Sequence, residues 1–344
     1  MPPGRPITLR ADDVATFTRA AICVGLAGLE KSRPAEVARR SFSDTRLELV
    51  LRAATAPTAL SNAPALTQIA VALLDALVPA SAGVDLLRRG VQLNFGGAAQ
   101  ISVPGIAIPA ATFVGEGQAI PVRTAPTAAG PTLFPHKLST IAALSGELLR
   151  SSNAETLVQQ ALVESAGPGI DLVLFSANPA SAIQPAGLLN GIAPLTPAAT
   201  GPSKSEVLVD DLQKLALAIG SVSGNGDVVL IGSPDAAAAL KMRLPSAVEW
   251  PVLQTNSLAP RTVIAVATAA IVSAIDGVPR IEQSTDAAVH FDDQPGDIVD
   301  IGGVFARPVG SLFQTDEIGL KLKWPLSWGL RDARGVAFMT GVNW

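Results

Sequence analysis

The spacing of apolar and polar positions changes along the chain, and each change marks a different kind of element. From residue 11 to about 54, Phe17, Ala20, Ala21 and Val24, then Val37, Phe42, Leu47 and Leu51, fall at helical spacing. Arg33-Pro34 separates the two stripes, so two helices are expected. A third helical stretch, Leu66 to Leu77, follows a loop marked by Pro57, Asn62 and Pro64, and Pro79 ends it. From Val91 to Pro135 glycine and proline become dense and lysine disappears. Gln100 to Val103 alternates with period two, and Thr112-Phe113-Val114 and Ala119 to Val122 read as strands around Gly115-Glu116-Gly117. This predicts an extended β-loop with little core of its own. A loop this long is usually either partnered or a plain surface hairpin.

Ser152-Asn153-Ala154-Glu155 has the form of a capping box, and Leu157, Val158, Ala161 and Leu162 follow on one helical face. Gly167-Pro168-Gly169 predicts a break or kink before the apolar run Ile170 to Phe175. Asn178-Pro179 and Gln184-Pro185-Ala186-Gly187 are loop chemistry. Residues 203 to about 275 read as an α/β unit. In it, Leu208, Leu212, Leu215 and Ile219 share a helical stripe, and Asp227 to Ile231 forms a short buried strand. Ser233 caps a helix that has Pro234 at its first position, and Val263 to Ile275 is strand-rich. The last third is β-rich. Ile318, Leu320, Leu322, Trp324, Leu326, Trp328 and Leu330 alternate without a miss, which defines a long half-buried strand. Pro325 has no N–H, so it belongs at an edge or bulge. Val336 to Val342 is expected to pair with this strand after a turn at Asp332 to Gly335.

Composition adds a bias towards association. Hydrophobic residues make up 48% of the 344 and charged residues 16%, which leaves little polar surface for a monomer. An alanine-rich sequence from a high-GC genome would give part of the same signal. The net charge is −4, so the strongly basic face of a general nucleic-acid binder is not expected. The first 60 residues carry a local surplus of positive charge. The single cysteine, Cys23, allows no intramolecular disulfide. No export signal is visible in Met1 to Arg10, and Pro64–Val78 and Val263–Ile275 fall short of a membrane span. A soluble protein of a cytoplasmic compartment is expected.

Catalytic patterns are missing. His136 and His290 are the only histidines, and no HExxH or CxxC occurs, so a metal or cofactor site is not expected. Gly220-Ser221-Val222-Ser223-Gly224 places its serines wrongly for a nucleophile elbow. Gly224-Asn225-Gly226 precedes a strand instead of following one, as a turn would. Asp292, Asp293, Asp297 and Asp300 do not match an EF-hand loop and read as a solvated acidic loop. Arg39-Arg40 and Arg88-Arg89 read as solvated helix faces, with phosphate contact as the alternative.

The order of elements carries a resemblance. A helical start leads to the long β-loop, then to Leu144-Ser145-Gly146-Glu147-Leu148-Leu149 opening a long helix with Asp171 near its end. The loop Gln184 to Leu189, the α/β unit, Leu312-Phe313-Gln314-Thr315-Asp316, Trp328-Gly329-Leu330-Arg331-Asp332 and Trp344 follow. Over about residues 75 to 344 the chain resembles the major capsid proteins of tailed phages. The resemblance implies an α+β Hong Kong-97-type phage capsid fold. Its expected parts are a helical N-terminal region or arm (1–75) and a peripheral-domain part (76–202) holding an E-loop (91–135) and a spine helix (about 145–176). An axial domain (203–275) and a C-terminal β-rich peripheral part (276–344) complete it.

It also implies self-assembly as hexamers and pentamers into an icosahedral shell around double-stranded DNA, in a virion assembled in the bacterial cytoplasm. The partners it implies are further copies of the chain, the packaged DNA, a portal, a scaffold or protease and a decoration protein, with no membrane. Phe113, Glu116, Arg123, Glu147, Asp171, Trp328 and Trp344 are the candidate assembly residues. Some relatives cross-link an E-loop lysine to a neighbour's asparagine. Residues 91 to 135 hold no lysine, so that bond is not expected here. Two rival readings are an encapsulin-like compartment enclosing cargo protein and a soluble α/β enzyme.

Overall fold

A computed structural model of the chain describes residues 11–42, 47–48, 50–51, 77, 80–105, 113–116, 130–150, 154–198, 201, 203–224, 227–243, 250–275, 279–291 and 309–344. Most of the helix expected at 66–77, the strands expected around 112 and 119–122, the Ser152-Asn153 cap, Asn225-Gly226 and the acidic cluster at 292–300 lie outside the described residues.

The chain divides into two units. The first comprises Met1–Leu77, Lys137–Ala166 and Asp276–Pro325. Helix α1 (Ala11–Leu29) and helix α2 (Pro34–Ser41) confirm the interruption expected at Arg33-Pro34. Phe17, Ala20, Ala21 and Val24 are buried, and α1 packs on β9 (Arg280–Ser284). Small residues let it come close. A Cβ on Gly28 would overlap the Gln283 side chain, and one on Gly25 would stand 2.9 Å from Leu149 in helix α4 (Gly146–Arg150). Cys23 is buried in the same helix, and desolvation pushes its thiol up to about 12.

Strand β12 (Glu317–Leu330) realises the long alternation, with Ile318, Leu320, Leu322, Trp324, Leu326 and Trp328 all buried. In the first unit its residues Gly319–Lys323 pair antiparallel with β9, and β4 (His136–Ser145) is its other neighbour. In the second unit Leu326–Leu330 pair antiparallel with β8 (Ile271–Ile275). Pro325 falls between these two runs of pairing, outside both registers, so its missing N–H takes no bond from the β8 or the β9 ladder.

The second unit comprises Val78–His136, Gly167–Ile275 and Leu326–Trp344. Its larger sheet has the order β13-β7-β5-β6, with β5 at Val228–Gly232, β6 at Val252–Gln254, β7 at Thr262–Ala267 and β13 at Val336–Thr340. Helix α6 (Lys204–Ile219) and helix α7 (Pro234–Arg243) cover one face. Leu208, Leu212, Leu215 and Ile219 join Val228, Leu230, Val263, Ala265, Ala337 and Met339 in one core.

Two expectations are corrected here. Val336 to Thr340 pairs with β7, register Val336↔Val266 to Thr340↔Thr262, and not with β12. Its residues Val336 to Met339 are buried on both faces, which suits the end strand of a covered sheet better than a strand of a half-exposed one. The Ser233 hydroxyl does not close the start of α7 by the usual cap. It donates to Asp235 Oδ1 (2.6 Å) and accepts from the Thr262 N–H (3.2 Å), tying the helix start to β7.

A smaller arrangement holds the base of the β-loop. β1 (Val91–Asn94) pairs parallel with β8, and β2 (Ile101–Ser102) pairs antiparallel with β3 (Thr132–Leu133). Phe95, Val103 and Leu133 pack with Val272 and Ala274, so the loop borrows its core from β8.

Helix α5 (Ala154–Leu174) runs through Pro168, against the break expected at Gly167-Pro168-Gly169. The glycines serve proximity instead. Gly167 passes so close to Ala80 that a Cβ would lie 3.2 Å from its carbonyl oxygen. Pro168 is exposed, so its burden on the helix is the missing donor and the crowding of its ring against the carbonyl one turn back, with no packing loss added. Pro168→Ala is expected to stabilise the protein by about 1–2 kcal/mol, less than the full interior-proline cost because alanine loosens the unfolded chain. Urea unfolding would show it, and an unchanged midpoint would contradict this account.

Candidate functional site

The candidate residues divide into a surface group and a buried group. Phe113 is fully exposed and Glu116 exposed on the β-loop, and Glu147 is exposed on α4. Arg123 lies outside the described residues. Asp171, Trp328 and Trp344 are buried, and each is used up within the chain.

Asp171, in the last turn of α5, points its carboxylate at the start of α3 (Ala82–Arg89). Its oxygens accept from Ser81 Oγ (2.5 Å), the Ala82 N–H (3.2 Å) and the Gly83 N–H (2.8 Å). Thr255 Oγ1 donates to it at 2.8 Å. A carboxylate at a helix N-terminus meets unpaired N–H groups and the positive end of the helix dipole. Gly83 must be glycine for this approach, since a Cβ would stand 2.8 Å from Asp171 Oδ1.

Trp328 and His136 hold the loop after α5. Trp328 Nε1 donates to the Ala186 carbonyl (2.9 Å). The His136 ring contacts the Ser181 carbonyl through Nε2 (3.2 Å) and Ser327 Oγ through Nδ1 (3.4 Å). Gly187 lies against Ser176, where a Cβ would overlap the carbonyl oxygen. This is why the loop reads Gln-Pro-Ala-Gly. Trp344 Nε1 donates to Asp211 Oδ2 (2.9 Å), and the other oxygen of Asp211 accepts from the Ala198 N–H (2.6 Å).

Sequence reasoning missed Ser81, Thr255, Asp211 and Arg331. Arg331 donates from Nε to the Pro104 carbonyl (3.2 Å), fastening the loop base. Thr255 and Asp171, Trp344 and Asp211, and Arg331 and Pro104 stand 84 to 227 residues apart, and no local pattern reveals such pairs.

The first unit carries an exposed charged face on β9 and β12. Lys323 Nζ reaches Glu282 Oε1 at 2.5 Å and Lys321 Nζ reaches Oε2 at 4.0 Å. The Lys323 ammonium holds the Glu282 carboxyl below the usual carboxylate range. An apolar hollow in the same unit is lined by Phe17, Ile141, Leu144, Val158, Leu320 and Leu322, among others. Among the described residues no group of three or more His, Cys, Asp or Glu side chains gathers to hold a metal, and no helix is long and apolar enough to cross a membrane. The geometry positions backbone and surface.

Comparison with known proteins agrees with this. Residues 73–244 match the model of the phage capsid family. Over 258 residues the chain is 26% identical to the "Capsid polyprotein" of Pseudomonas phage PAJU2, covering 67% of this chain and 37% of that protein. The chain thus spans little more than a third of the length of that curated relative. Among solved structures, a chain from Mycobacterium phage Adephagia superposes with a TM-score of 0.50 at 18% identity, covering 74% of this chain and 89% of its own. A chain of the satellite phage P4 procapsid that includes the size determination protein gives 0.52 at 10% identity, covering 80% and 100%. At such identities the likeness speaks for the fold, which is the Hong Kong-97-type phage capsid fold. The family is a structural one and not a family of enzymes, and with half of its length matched the chain belongs to the phage capsid family.

Proposed function

We propose that this chain is the major capsid protein of a tailed phage or prophage. It self-assembles as hexamers and pentamers into an icosahedral shell enclosing double-stranded DNA. The observation that carries the reading is the family match over residues 73–244, which includes the β-loop, α5 and most of the α/β unit. In this reading residues 91–135 are the E-loop, α4 and α5 the spine, and residues 203–275 the axial domain. β13 joins that axial sheet from the C-terminal part. The E-loop stem is fastened to β8 while Phe113 stands fully exposed. A large apolar side chain held out in solvent suits burial against a neighbouring subunit. Without a loop lysine, that contact is non-covalent. Portal, scaffold or protease, and decoration proteins are the further partners of such a shell.

Negative-stain microscopy of the purified protein tests this. Closed shells tens of nanometres across are expected, with nuclease-protected DNA inside those taken from infected cells. Small discrete oligomers would overturn the reading, and shells filled with protein would replace it with a cargo compartment. Phe113→Ser is expected to lower the yield of closed shells at least several-fold while leaving the unfolding midpoint of the unassembled subunit unchanged, because its side chain is fully exposed.

A further inference from the structure

Strand β4 stands at an edge of its sheet. Among the described residues β12 is its one strand neighbour. β9 lies against β12, and β10 (Ala288–His290) and β11 (Val309–Ser311) pair with each other. The Gly146 N–H, just past the end of β4, donates to the Asp316 carbonyl (3.3 Å), so the backbone of Gly146 faces β12. Backbone groups alternate sides along a strand. Lys137, Ser139, Ile141, Ala143 and Ser145 therefore turn their N–H and C=O groups to the open edge. Their side chains share the outer face, where Lys137, Ser139, Ile141 and Ser145 are exposed, Ile141 at 57%.

An open edge takes up a further strand unless charge, proline or a bulge blocks it. β4 holds no proline, and Lys137, near its start, is its only Lys, Arg, Asp or Glu. The next charge along the chain is Glu147, exposed in the first turn of α4. Among the described residues neither Lys137 nor Glu147 has an ion-pair partner. The edge thus begins with a cation and ends on an anion, with no charge between. That pattern complements itself when a second copy runs antiparallel to it.

We propose that β4 of one copy pairs antiparallel with β4 of a second copy across a two-fold axis. The inference rests on the shell reading above, in which many copies meet and two-fold axes relate them. An outward-facing residue pairs only with another, so the register moves in steps of two. With Ile141 opposite Ala143 of the second copy, Lys137 of each copy faces Glu147 of the other. With Ile141 opposite Ile141, Lys137 would face Ser145. With Ala143 opposite Ala143, Glu147 would face Ser139. Charge therefore selects the first register. In it Ile141 and Ala143 exchange both of their backbone hydrogen bonds, and the exposed Ile141 side chain lies beside Ala143. A contact that uses one patch twice is isologous and closes as a pair. The ion pairs fix register more than they add affinity, and salt weakens them.

Disulfide trapping tests it. Cys23 is buried and is the chain's only cysteine, so single introduced thiols can be read cleanly. Chains bearing Ile141→Cys and chains bearing Ala143→Cys are purified, mixed under assembly conditions and exposed to a mild oxidant. Facing residues of such a pair have Cα atoms about 5.5 Å apart, within disulfide reach. A mixed disulfide dimer is expected, several-fold above either variant alone. Lys137→Glu and Glu147→Lys are each expected to cut the yield of closed shells several-fold, and K137E/E147K in one chain is expected to restore it. Ala143→Pro removes an outward N–H and spares the β12 ladder, and it too is expected to cut the yield. A loss in Ala143→Pro without the mixed dimer means that some other strand takes the edge, which overturns the proposal. A dimer strongest in Ile141→Cys alone, or a charge reversal that the double change does not rescue, overturns it as well. Wild-type microscopy separates the two readings. Shells without the mixed dimer reject this contact alone, whereas a wild type that forms no shells rejects the shell reading.

Discussion

Asp171→Ala is expected to lower the unfolding free energy by about 3–5 kcal/mol, because several buried donors lose one shared acceptor group. The carboxylate collects donors from Ser81, Ala82, Gly83 and Thr255, and all lose their acceptor at once. Each buried donor left bare costs about 1–3 kcal/mol, reduced where a hydroxyl can turn to another partner. Asp171→Asn is expected to recover little. Its amide keeps one acceptor oxygen and presents an NH2 group to the remaining donors. Urea unfolding of the unassembled subunit measures both. An asparagine variant as stable as the wild type would show that the site needs only shape and not an acceptor pair.

The second large effect is expected at Trp344. Trp344→Ala removes a buried indole from the core shared by α6, β7 and β13, and such truncations cost about 3–5 kcal/mol. It also takes a donor from Asp211, which is fully buried. Trp344→Phe keeps most of the packing and loses the hydrogen bond, so about 1–3 kcal/mol is expected. Equal losses in the two variants would mean that the Asp211 contact carries everything and the ring nothing.

These two residues show how far the sequence could be read. The alternation from Ile318 to Trp328 announced β12 because a strand with one buried face repeats every second residue. The stripe Leu208, Leu212, Leu215 and Ile219 announced α6 for the corresponding helical reason. Asp171 and Trp344 could be picked out only by resemblance, because their partners lie far away in the chain. The partner of β13 was illegible for a related cause. Val336 to Met339 is buried on both faces, so it shows no alternation to say which sheet it joins. Pro168 misled because a helix-breaking residue was weighed without its surroundings. It sits exposed between two glycines in a helix that needs close approach at one of them.

The place of β13 bears on how the subunit is made. Its sheet begins with β5 at Val228, yet the edge beside β7 stays open until Val336–Thr340 emerges. During synthesis the strands β5, β6 and β7 and the helices α6 and α7 must wait, with Val263 and Ala265 lacking their last cover, while some seventy more residues are added. Closure is then a non-local event that waits for β13. A chain that lacks Val336–Thr340 cannot complete this sheet, so a half-made subunit carries its own mark of incompleteness into any lattice that tests it for fit.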